Sequence, residues 1–318
     1  MRFLGIDGGG TKTAFLLADE HGRVLASAER GTIHIRQVDI KEFETRIRSG
    51  IDELSAQLGE EVRPDNSFVA IPGYGEFQEE ISGFEAALKR IFGPSPFQMG
   101  NDSVAGWAAM GTRPGVNLVM GTGSIAYGRD GKGNESRTGG WGPFCGDEGS
   151  AYWLGKKTIE IFSKKSDGRL PKGELYRIVK EELKLVNDFD IIDYVTLELG
   201  ADRTVIAGLS RLLYKAAEAG DEDAIASYAQ AAKEGADAVR AAVSKLEFCE
   251  GEIIYIGCSG GVFRAGRWVM EPLREYLSDL SGIRFKDARM SPAKGAALMA
   301  CRQHGIEITR EVLEEWER

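Results

Sequence analysis

The sequence predicts an α/β protein made of two related halves, and three observations lead to this prediction. The chain has 318 residues, enough for about two domains of ordinary size. A short strand that ends in a glycine-rich turn begins at residue 2, and the same pattern returns at residue 117. A second echo pairs the segment that begins at Ala105 with the one that begins at Lys294, each starting a helix after a short strand. Because both repeats keep the same order, duplication explains them better than chance.

The first half reads as a small antiparallel meander followed by alternating helices and strands. Strands are predicted where short apolar runs end at turn residues, and helices where apolar residues recur every three or four positions. The helix over 40–58, for example, places Phe43, Ile47, Ile51 and Leu54 on one face. The predicted elements are strands over 2–6, 13–18, 24–28 and 68–71, and helices over 40–58, 79–91 and 104–110.

The second half repeats this order with a long helical insertion. A strand over 117–120 and a second strand lead to a glycine turn at 130–133, and a strand over 252–256 follows the insertion. The last predicted helix begins at Ser291-Pro292, a serine N-cap followed by proline at the first helical position. The other helices are predicted over 150–165, 175–185, 204–219 and 223–245.

Charge and hydropathy exclude several classes of partner. The chain carries 40 basic and 49 acidic residues, a net charge of −9, which argues against nucleic-acid binding. It has no run of five basic residues that would bind a membrane surface. The start of the chain lacks the apolar stretch of a signal peptide, and no apolar run is long enough to span a bilayer. We therefore expect a cytoplasmic protein with neither nucleic-acid nor membrane partners.

The cysteines and histidines argue against disulfide, zinc and triad chemistry. Cys145, Cys249, Cys258 and Cys301 form no CxxC pair, so a reduced cytosolic protein is expected rather than a disulfide scaffold or a zinc site. The three histidines are not paired at ligand spacing. This excludes a histidine-rich metal centre and any obvious Ser-His-Asp triad.

The sharpest local signal is the glycine turn after the first strand. Its glycines let the backbone approach an anion and turn its N–H groups toward phosphate oxygens. Thr11 and Thr13 add hydroxyl groups, Lys12 adds a positive charge, and Asp7 is expected to hold Mg²⁺ through water. A tight hairpin that merely needs glycine is the alternative, and the segment is neither a Walker nor a Rossmann motif. The candidate nucleotide-binding residues are Asp7, Gly9, Gly10, Thr11, Lys12 and Thr13.

Two further glycine turns are candidates for the nucleotide. The first is the internal echo of the turn above, and together they would bind a triphosphate from both sides. The second follows the strand over 252–256, where glycines would let an adenine lie against the backbone. Ordinary turns are the alternative for both. The candidate residues are Gly121, Thr122, Gly123 and Ser124 in the first turn, and Gly260 and Gly261 in the second.

Asp102 is the candidate catalytic base. The segment Asn101-Asp102-Ser103 lies between a short strand and a helix. There a carboxylate could orient a sugar hydroxyl and accept its proton during phosphoryl transfer. The alternative is structural, because Asp102 or Ser103 would also serve well as the helix N-cap.

A tryptophan among glycines marks a candidate sugar-binding loop. Gly140, Trp141 and Gly142 precede Asp147 and Glu148 by a few residues. Trp141 could pack on the core, but it could also stack on a sugar face or an acetamide methyl group. Asp147 and Glu148 could be ordinary partners of a helix N-terminus, or they could accept hydrogen bonds from sugar hydroxyls.

Together these residues resemble the N-acetylglucosamine kinases within the BadF/BadG/BcrA/BcrD ATPase family of the actin–hexokinase–Hsp70 superfamily. The resemblance covers nearly the whole chain and is most specific over 139–153. It implies an α/β fold of two actin-like, ribonuclease H-like domains, each a mixed five-stranded sheet with helices, with ATP and sugar in the interdomain cleft. The implied domains are 1–113 with the C-terminal helix 291–318, and 114–290 with the helical insertion.

The resemblance also implies roles for individual residues. Asp102 falls on the family's catalytic aspartate, and Gly208 on a helical turn near the adenine. His34 stands where these kinases carry a sugar-contacting asparagine, a departure that leaves the exact sugar open; a surface loop histidine is the alternative. The residues implied to bind the sugar are His34, Asn101, Asp102, Gly140, Trp141, Gly142 and Asp147.

The expected activity is phosphorylation of the 6-hydroxyl of N-acetylglucosamine by ATP with Mg²⁺. Glucosamine, N-acetylmannosamine and N-acetylmuramic acid are alternative substrates. An ATPase that activates a partner enzyme is an alternative of another class, and a sugar-sensing regulator is a third. The resemblance implies a homodimer as a candidate assembly, with no surface identified.

Overall fold

The computed structural model describes residues 1–76, 78–200 and 202–318, with no side chains described for 78–80. The strands are β1 (Arg2–Gly8), β2 (Lys12–Asp19), β3 (Val24–Gly31), β4 (Asn66–Ile71), β5 (Phe97–Asn101), β6 (Gly115–Met120), β7 (Ser124–Arg129), β8 (Glu135–Gly139), β9 (Ile254–Ser259) and β10 (Ile283–Lys286). The helices are α1 (Ile40–Leu58), α2 (Gln78–Phe92), α3 (Asp102–Ala108), α4 (Gly142–Cys145), α5 (Ala151–Ser166), α6 (Glu174–Glu182), α7 (Asp190–Asp193), α8 (Arg203–Gly208), α9 (Ser210–Glu218), α10 (Glu222–Val243), α11 (Arg267–Tyr276), α12 (Pro292–Gln303) and α13 (Arg310–Trp316). A π-helical turn (Tyr194–Glu198) follows α7, and a 3₁₀ turn (Gly261–Ala265) follows β9.

The chain divides into two compact units. The first unit consists of Met1–Arg113 and Lys286–Arg318, and the second of Pro114–Phe285. The sheet of the first unit has the order β3-β2-β1-β4-β5, and that of the second has the order β10-β9-β6-β7-β8. Both sheets have five strands, as the resemblance implied.

The two sheets share one topology. In the first, β1 pairs antiparallel with β2 and parallel with β4. In the second, β6 pairs antiparallel with β7 and parallel with β9. When the second order is read in reverse, as β8-β7-β6-β9-β10, each of its strands takes the position of the strand numbered five lower in the first sheet. The predicted duplication and the predicted mixed sheets are therefore confirmed.

Close packing of α12 on β1 explains why the end of the chain belongs to the first unit. A Cβ atom added to Gly5 would lie 2.1 Å from the carbonyl oxygen of Ala293 and 2.3 Å from the nitrogen of Ala297. Only glycine lets the helix backbone come this near to the strand. The small residues of α12 are buried along most of its length. The helix therefore packs closely on β1 and fixes the position of this strand.

In the second unit the helical insertion packs on α5. A Cβ atom added to Gly155 of α5 would lie 2.1 Å from the carbonyl oxygen of Ile206 in α8, so α8 is held against α5. Alanines line much of the buried face of α10. None of the helices in the described ranges combines the length and the apolar character that a bilayer crossing requires.

Three sequence predictions differ from the observed elements. The helix predicted over 204–219 is two helices, because the N–H of Leu209 donates to the carbonyl of Ile206 at 3.0 Å and tightens the turn. The helix predicted to be the last ends at Gln303, and α13 follows it with Thr309 as N-cap. The strand β10, in which apolar and basic residues alternate, and the amphipathic helix α11 were not predicted.

Candidate active site

The first glycine turn is a hairpin with unused backbone donors. The N–H of Gly9 donates to the carbonyl of Lys12 at 2.7 Å and closes the turn between β1 and β2. Among the described residues, the N–H groups of Gly10 and Thr11 have no acceptor, and both residues are exposed. Two adjacent free N–H groups beside a threonine hydroxyl are donors of the kind that bind anions.

The structure corrects the predicted role of Thr13. This side chain is fully buried, and its hydroxyl donates to the carbonyl of Gly31 in the neighbouring strand at 2.9 Å. Thr13 therefore ties β2 to the end of β3 and does not face a phosphate. Lys12 is exposed, but its ammonium group already pairs with Glu29 at 2.6 Å.

The second glycine turn has the same geometry in the second unit. The N–H of Gly121 donates to the carbonyl of Gly123 at 2.9 Å, and the N–H groups of Thr122 and Gly123 have no acceptor within the described ranges. The first N–H groups of α5 donate to the turn's carbonyls, from Ala151 to Gly121 at 2.8 Å and from Tyr152 to Thr122 at 3.3 Å. Helix α5 thus holds the carbonyls of the turn.

Ser124 serves the turn itself. Its N–H donates to Oδ1 of Asp147 at 3.1 Å, and its hydroxyl donates to the carbonyl of Glu148 at 2.7 Å. A phosphate contact through either donor of Ser124 would have to replace one of these bonds. The exposed Thr122 is the better placed hydroxyl of this turn.

Gly260 packs against the backbone of the second glycine turn. It has φ 107° and ψ 165°, a conformation that residues with a side chain rarely adopt. A Cβ atom here would lie 2.4 Å from the carbonyl oxygen of Met120 and 2.7 Å from the nitrogen of Gly121. The glycine is therefore required for close packing against the turn.

We expect Gly260→Ala to destabilise the protein by about 3 kcal/mol or more, because backbone strain and a collision with backbone atoms add. Gly261→Ala is the matched control, since a Cβ atom there meets nothing within 4 Å. Urea unfolding of both variants measures the difference. Equal stabilities would contradict the packing argument.

Two carboxylates meet at one edge of the first sheet. Strands β1, β4 and β5 are parallel neighbours, so their carboxyl ends lie together. Asp7 lies near the end of β1, and Asp102 follows β5 as the first residue of α3. No donor among the described residues hydrogen-bonds to the Asp7 carboxylate. Burial and, to a smaller extent, the negative charge of Asp102 together raise the pKa of Asp7 to about 7, although Lys12 opposes the shift.

Asn101 is the N-cap of α3. Its Oδ1 accepts hydrogen bonds from the N–H of Ser103 at 3.1 Å and from the hydroxyl of Ser103 at 2.7 Å, while its Nδ2 donates to the carbonyl of Tyr74 at 3.2 Å. The N-cap position is therefore Asn101 rather than Asp102 or Ser103, but Oδ1 of Asp102 also accepts from the N–H of Ser103 at 3.1 Å. Asn101 fixes the turn that presents Asp102, and its amide already has partners.

His34 lies on the same edge of the first unit. The hydroxyl of Thr32 donates to the carbonyl of Gly9 at 2.6 Å and accepts from the N–H of His34 at 3.0 Å. The imidazole Nδ1 accepts from the N–H of Arg36 at 3.1 Å, which places the proton of a neutral ring on Nε2. The loop after β3 thus links His34 to the first glycine turn.

The predicted sugar loop presents aromatic side chains to the surface. Trp141 is 75% exposed and Phe144 is 95% exposed, so the alternative of core packing for Trp141 is wrong. Gly140 and Gly142 have φ of 72° and 80°, which glycine adopts without strain. Phe144 was missed at the sequence level, because an apolar residue ordinarily indicates the core.

Asp147 is buried in the second unit and is already paired. It is 2% exposed and has φ 62°. Its Oδ1 accepts from the N–H of Ser124, and its Oδ2 accepts from Nη2 of Arg203 at 2.5 Å. Burial raises the pKa of Asp147 and Arg203 lowers it. A sugar hydroxyl that donates to Asp147 would share the carboxylate with these two partners, because each oxygen has a second lone pair. Arg203 was not predicted from the sequence.

Two glycines of the second unit border open space. A Cβ atom on Gly208, at the end of α8, meets only Nη2 of Arg211 at 3.9 Å, and one on Gly261 meets nothing within 4 Å. Neither glycine is required by packing inside the described structure. Both leave room for a flat group to approach the backbone.

Known proteins match almost the whole chain. An N-acetylmuramic acid/N-acetylglucosamine kinase of Clostridium acetobutylicum is 28% identical over 93% of this chain and 97% of its own. An N-acetyl-D-glucosamine kinase of Dictyostelium discoideum is 26% identical over 94% and 97%. The crystal structure of a candidate N-acetylglucosamine kinase from Chromobacterium violaceum is similar with a TM-score of 0.74 at 25% identity, over 94% and 98%. The sequence profile of the BadF/BadG/BcrA/BcrD ATPase family matches residues 4–300, and the chain belongs to this family.

Proposed function

We propose that this protein phosphorylates an amino sugar with ATP, and that N-acetylglucosamine is the preferred acceptor. The observation that carries the proposal is the pair of carboxylates, Asp7 and Asp102, beside a glycine turn with unused N–H donors in the first unit. The similarity to two kinases of N-acetylated amino sugars over nearly the whole chain supports this acceptor class.

Asp102 is proposed to act as the general base. It lies at the start of α3, where Asn101 rather than Asp102 takes the cap. A carboxylate in this position can accept the proton of the sugar 6-hydroxyl as the oxygen attacks the γ-phosphorus, the bond to the β,γ-bridging oxygen breaks and ADP leaves.

The glycine turns are proposed to bind the ATP phosphates. The first turn offers the N–H groups of Gly10 and Thr11, and the second offers those of Thr122 and Gly123. Donors held by the fold before the ligand arrives need little reorganisation and stabilise charge that develops on phosphoryl oxygens. Gly208 and Gly261 are proposed to border the adenosine, because open space adjoins their backbone.

The first unit fits a magnesium ion at Asp7. The Asp7 carboxylate is partly buried, has no hydrogen-bond donor among the described residues and lies close to a second carboxylate. Oxygen ligands of this kind suit a hard divalent cation. No group of three or more metal-binding side chains lies within the described ranges, so water and phosphate oxygens would complete the coordination. When bound, Mg²⁺ would offset negative charge on the phosphates.

The exposed Trp141 and the edge residue His34 are proposed to contact the sugar. An exposed indole can stack on an acetamide methyl group or a sugar face. The imidazole of His34 offers a polar contact at the position where the family resemblance implies a sugar contact. The protein is further proposed to act in the cytoplasm on a small molecule, with neither nucleic-acid nor membrane partners and with a homodimer as the candidate assembly.

ADP release with MgATP and a panel of sugars tests the proposal. The panel contains N-acetylglucosamine, glucosamine, N-acetylmannosamine, N-acetylmuramic acid and glucose. We expect turnover with N-acetylglucosamine to exceed turnover with glucose by at least about 10-fold, the effect of a few polar contacts. Slow ATP hydrolysis that no sugar stimulates would instead favour an ATPase that activates a partner enzyme.

A further inference from the structure

Arg203 is tied to the second glycine turn through Asp147. It is the first residue of α8, and its Nη2 donates to Oδ2 of Asp147 at 2.5 Å. The other oxygen of the same carboxylate accepts from the N–H of Ser124 at 3.1 Å. One buried carboxylate therefore bridges the guanidinium group and the backbone of the turn.

The guanidinium group occupies the space where a side chain at position 123 would lie. A Cβ atom added to Gly123 would be 2.2 Å from Nη2 of Arg203 and 2.7 Å from Oδ1 of Asp147. The glycine thus admits the guanidinium group to the surface of the turn. The free N–H groups of Thr122 and Gly123 belong to the same turn, so a positive charge and two backbone donors lie together.

Most of the donors of Arg203 are unused. Within the described part of the chain, the buried Nε–H has no hydrogen-bond acceptor, and the one hydrogen bond of the guanidinium group comes from Nη2. A buried donor without a partner is costly and calls for an explanation. The side chain is nevertheless 39% exposed, so a ligand can reach the group.

We propose that Arg203 is a phosphate-binding residue for the nucleotide and acts together with the backbone donors of the second glycine turn. The inference rests on the proposed use of ATP. A planar guanidinium group binds phosphate oxygens through paired hydrogen bonds. The charge that it carries stabilises the transferring phosphoryl group more than the adenosine.

The course of α8 agrees with this assignment. The helix runs from Arg203 to Gly208, a distance of about 7–8 Å at about 1.5 Å per residue. It therefore connects the phosphate end of the site with the open glycine proposed to border the adenosine. Gly155 packs directly on the carbonyl of Ile206, so this helix is a fixed support.

Calorimetric binding of ATP, ADP and adenosine to the wild type and to Arg203→Gln tests the assignment. We expect Arg203→Gln to weaken ATP binding by roughly 10–100-fold, the effect of one charge-assisted contact, and to leave adenosine binding within about 2-fold. Arg203→Lys should recover part of the loss. Arg177→Ala is the control, because Arg177 is an arginine of the same unit that pairs with Glu174 and Glu181 on the surface.

Two outcomes would overturn the assignment. One is unchanged ATP affinity in Arg203→Gln, and the other is an equal loss of ATP and adenosine affinity, which would mean that Arg203 only holds α8 in place. Thermal unfolding shows whether the variants are folded. The proposed function fails separately: if the wild type turned over no amino sugar but bound ATP in an Arg203-dependent way, the assignment would stand without the sugar kinase.

Discussion

Replacing Asp102 with asparagine should lower kcat for sugar phosphorylation by about 10²–10⁴-fold, the range for removal of a general base. Asparagine keeps the shape and can still hydrogen-bond to a sugar hydroxyl, but it cannot accept the proton. The KM for the sugar should therefore change by less than about 5-fold, because ground-state binding is largely kept. Steady-state ADP release at saturating MgATP measures both constants.

The control for Asp102→Asn is Asp52→Asn, which removes an exposed carboxylate on α1 of the same unit. It should keep the wild-type kcat. Near-full turnover by Asp102→Asn would remove Asp102 from the mechanism. A large rise in KM at unchanged kcat would make it a sugar-binding residue instead of a base.

Replacing Asp7 with asparagine should stabilise the ligand-free protein and abolish most of its activity. The pKa of Asp7 is about 7 in the folded protein, against an ordinary value of 3.8. Its ionisation therefore opposes folding. The contribution of the neutral Asp7 carboxyl group to the free energy of unfolding is fully present below about pH 4 and is lost as the pH rises through 7. At about 1.4 kcal/mol per pKa unit, Asp7→Asn should be more stable than the wild type by roughly 2–4 kcal/mol at pH 8.

Urea unfolding without ATP or Mg²⁺ measures this difference at pH 5 and at pH 8. The gain should be clearly larger at pH 8, where the wild-type carboxylate is ionised. The same variant should lose at least about 10²-fold in Mg²⁺-dependent turnover, because the charge that opposes folding is the one proposed to bind the cation. If Asp7→Asn were more stable but fully active, Asp7 would not be a ligand of the metal. If Asp7→Asn were less stable than the wild type, the ionised carboxylate would not destabilise the folded protein.

Asp7 and Asp102 should also be coupled. The charge of Asp102 contributes to the raised pKa of Asp7, so removal of Asp102 should lower it. The change in the free energy of unfolding in the double variant Asp7→Asn/Asp102→Asn should therefore be smaller than the sum of the changes in the two single variants, as expected for charges that interact directly.

The sequence was enough to locate the candidate site residues whose position depends on the local backbone. The two glycine turns, Asp7 and Asp102 lie within a few residues of predicted strand ends, where chain direction and turn geometry follow from short patterns. The duplicated order of strands placed the second turn by analogy with the first. The profile of the family then named the class of protein.

Local pattern was insufficient where a side chain chooses between partners distant in the sequence. Thr13 looked like a second phosphate hydroxyl, but the pairing of β2 with β3 turns it to the carbonyl of Gly31. Asn101, not Asp102, caps α3, because its amide also reaches the carbonyl of Tyr74. Neither contact has a signature in neighbouring residues.

The tertiary structure alone placed Arg203 at the second glycine turn. Arg203 follows Asp147 by 56 residues, and helix α5 and the packing of Gly155 on Ile206 bring them together. The sequence by itself determined most of the strands, the glycine turns and the candidate base, because these depend on contacts close along the chain. Only the tertiary structure decided which donors and carboxylates are buried, paired or unused. Burial and pairing depend on packing between segments that are distant in the sequence, because this packing excludes water from some polar groups and leaves others hydrated.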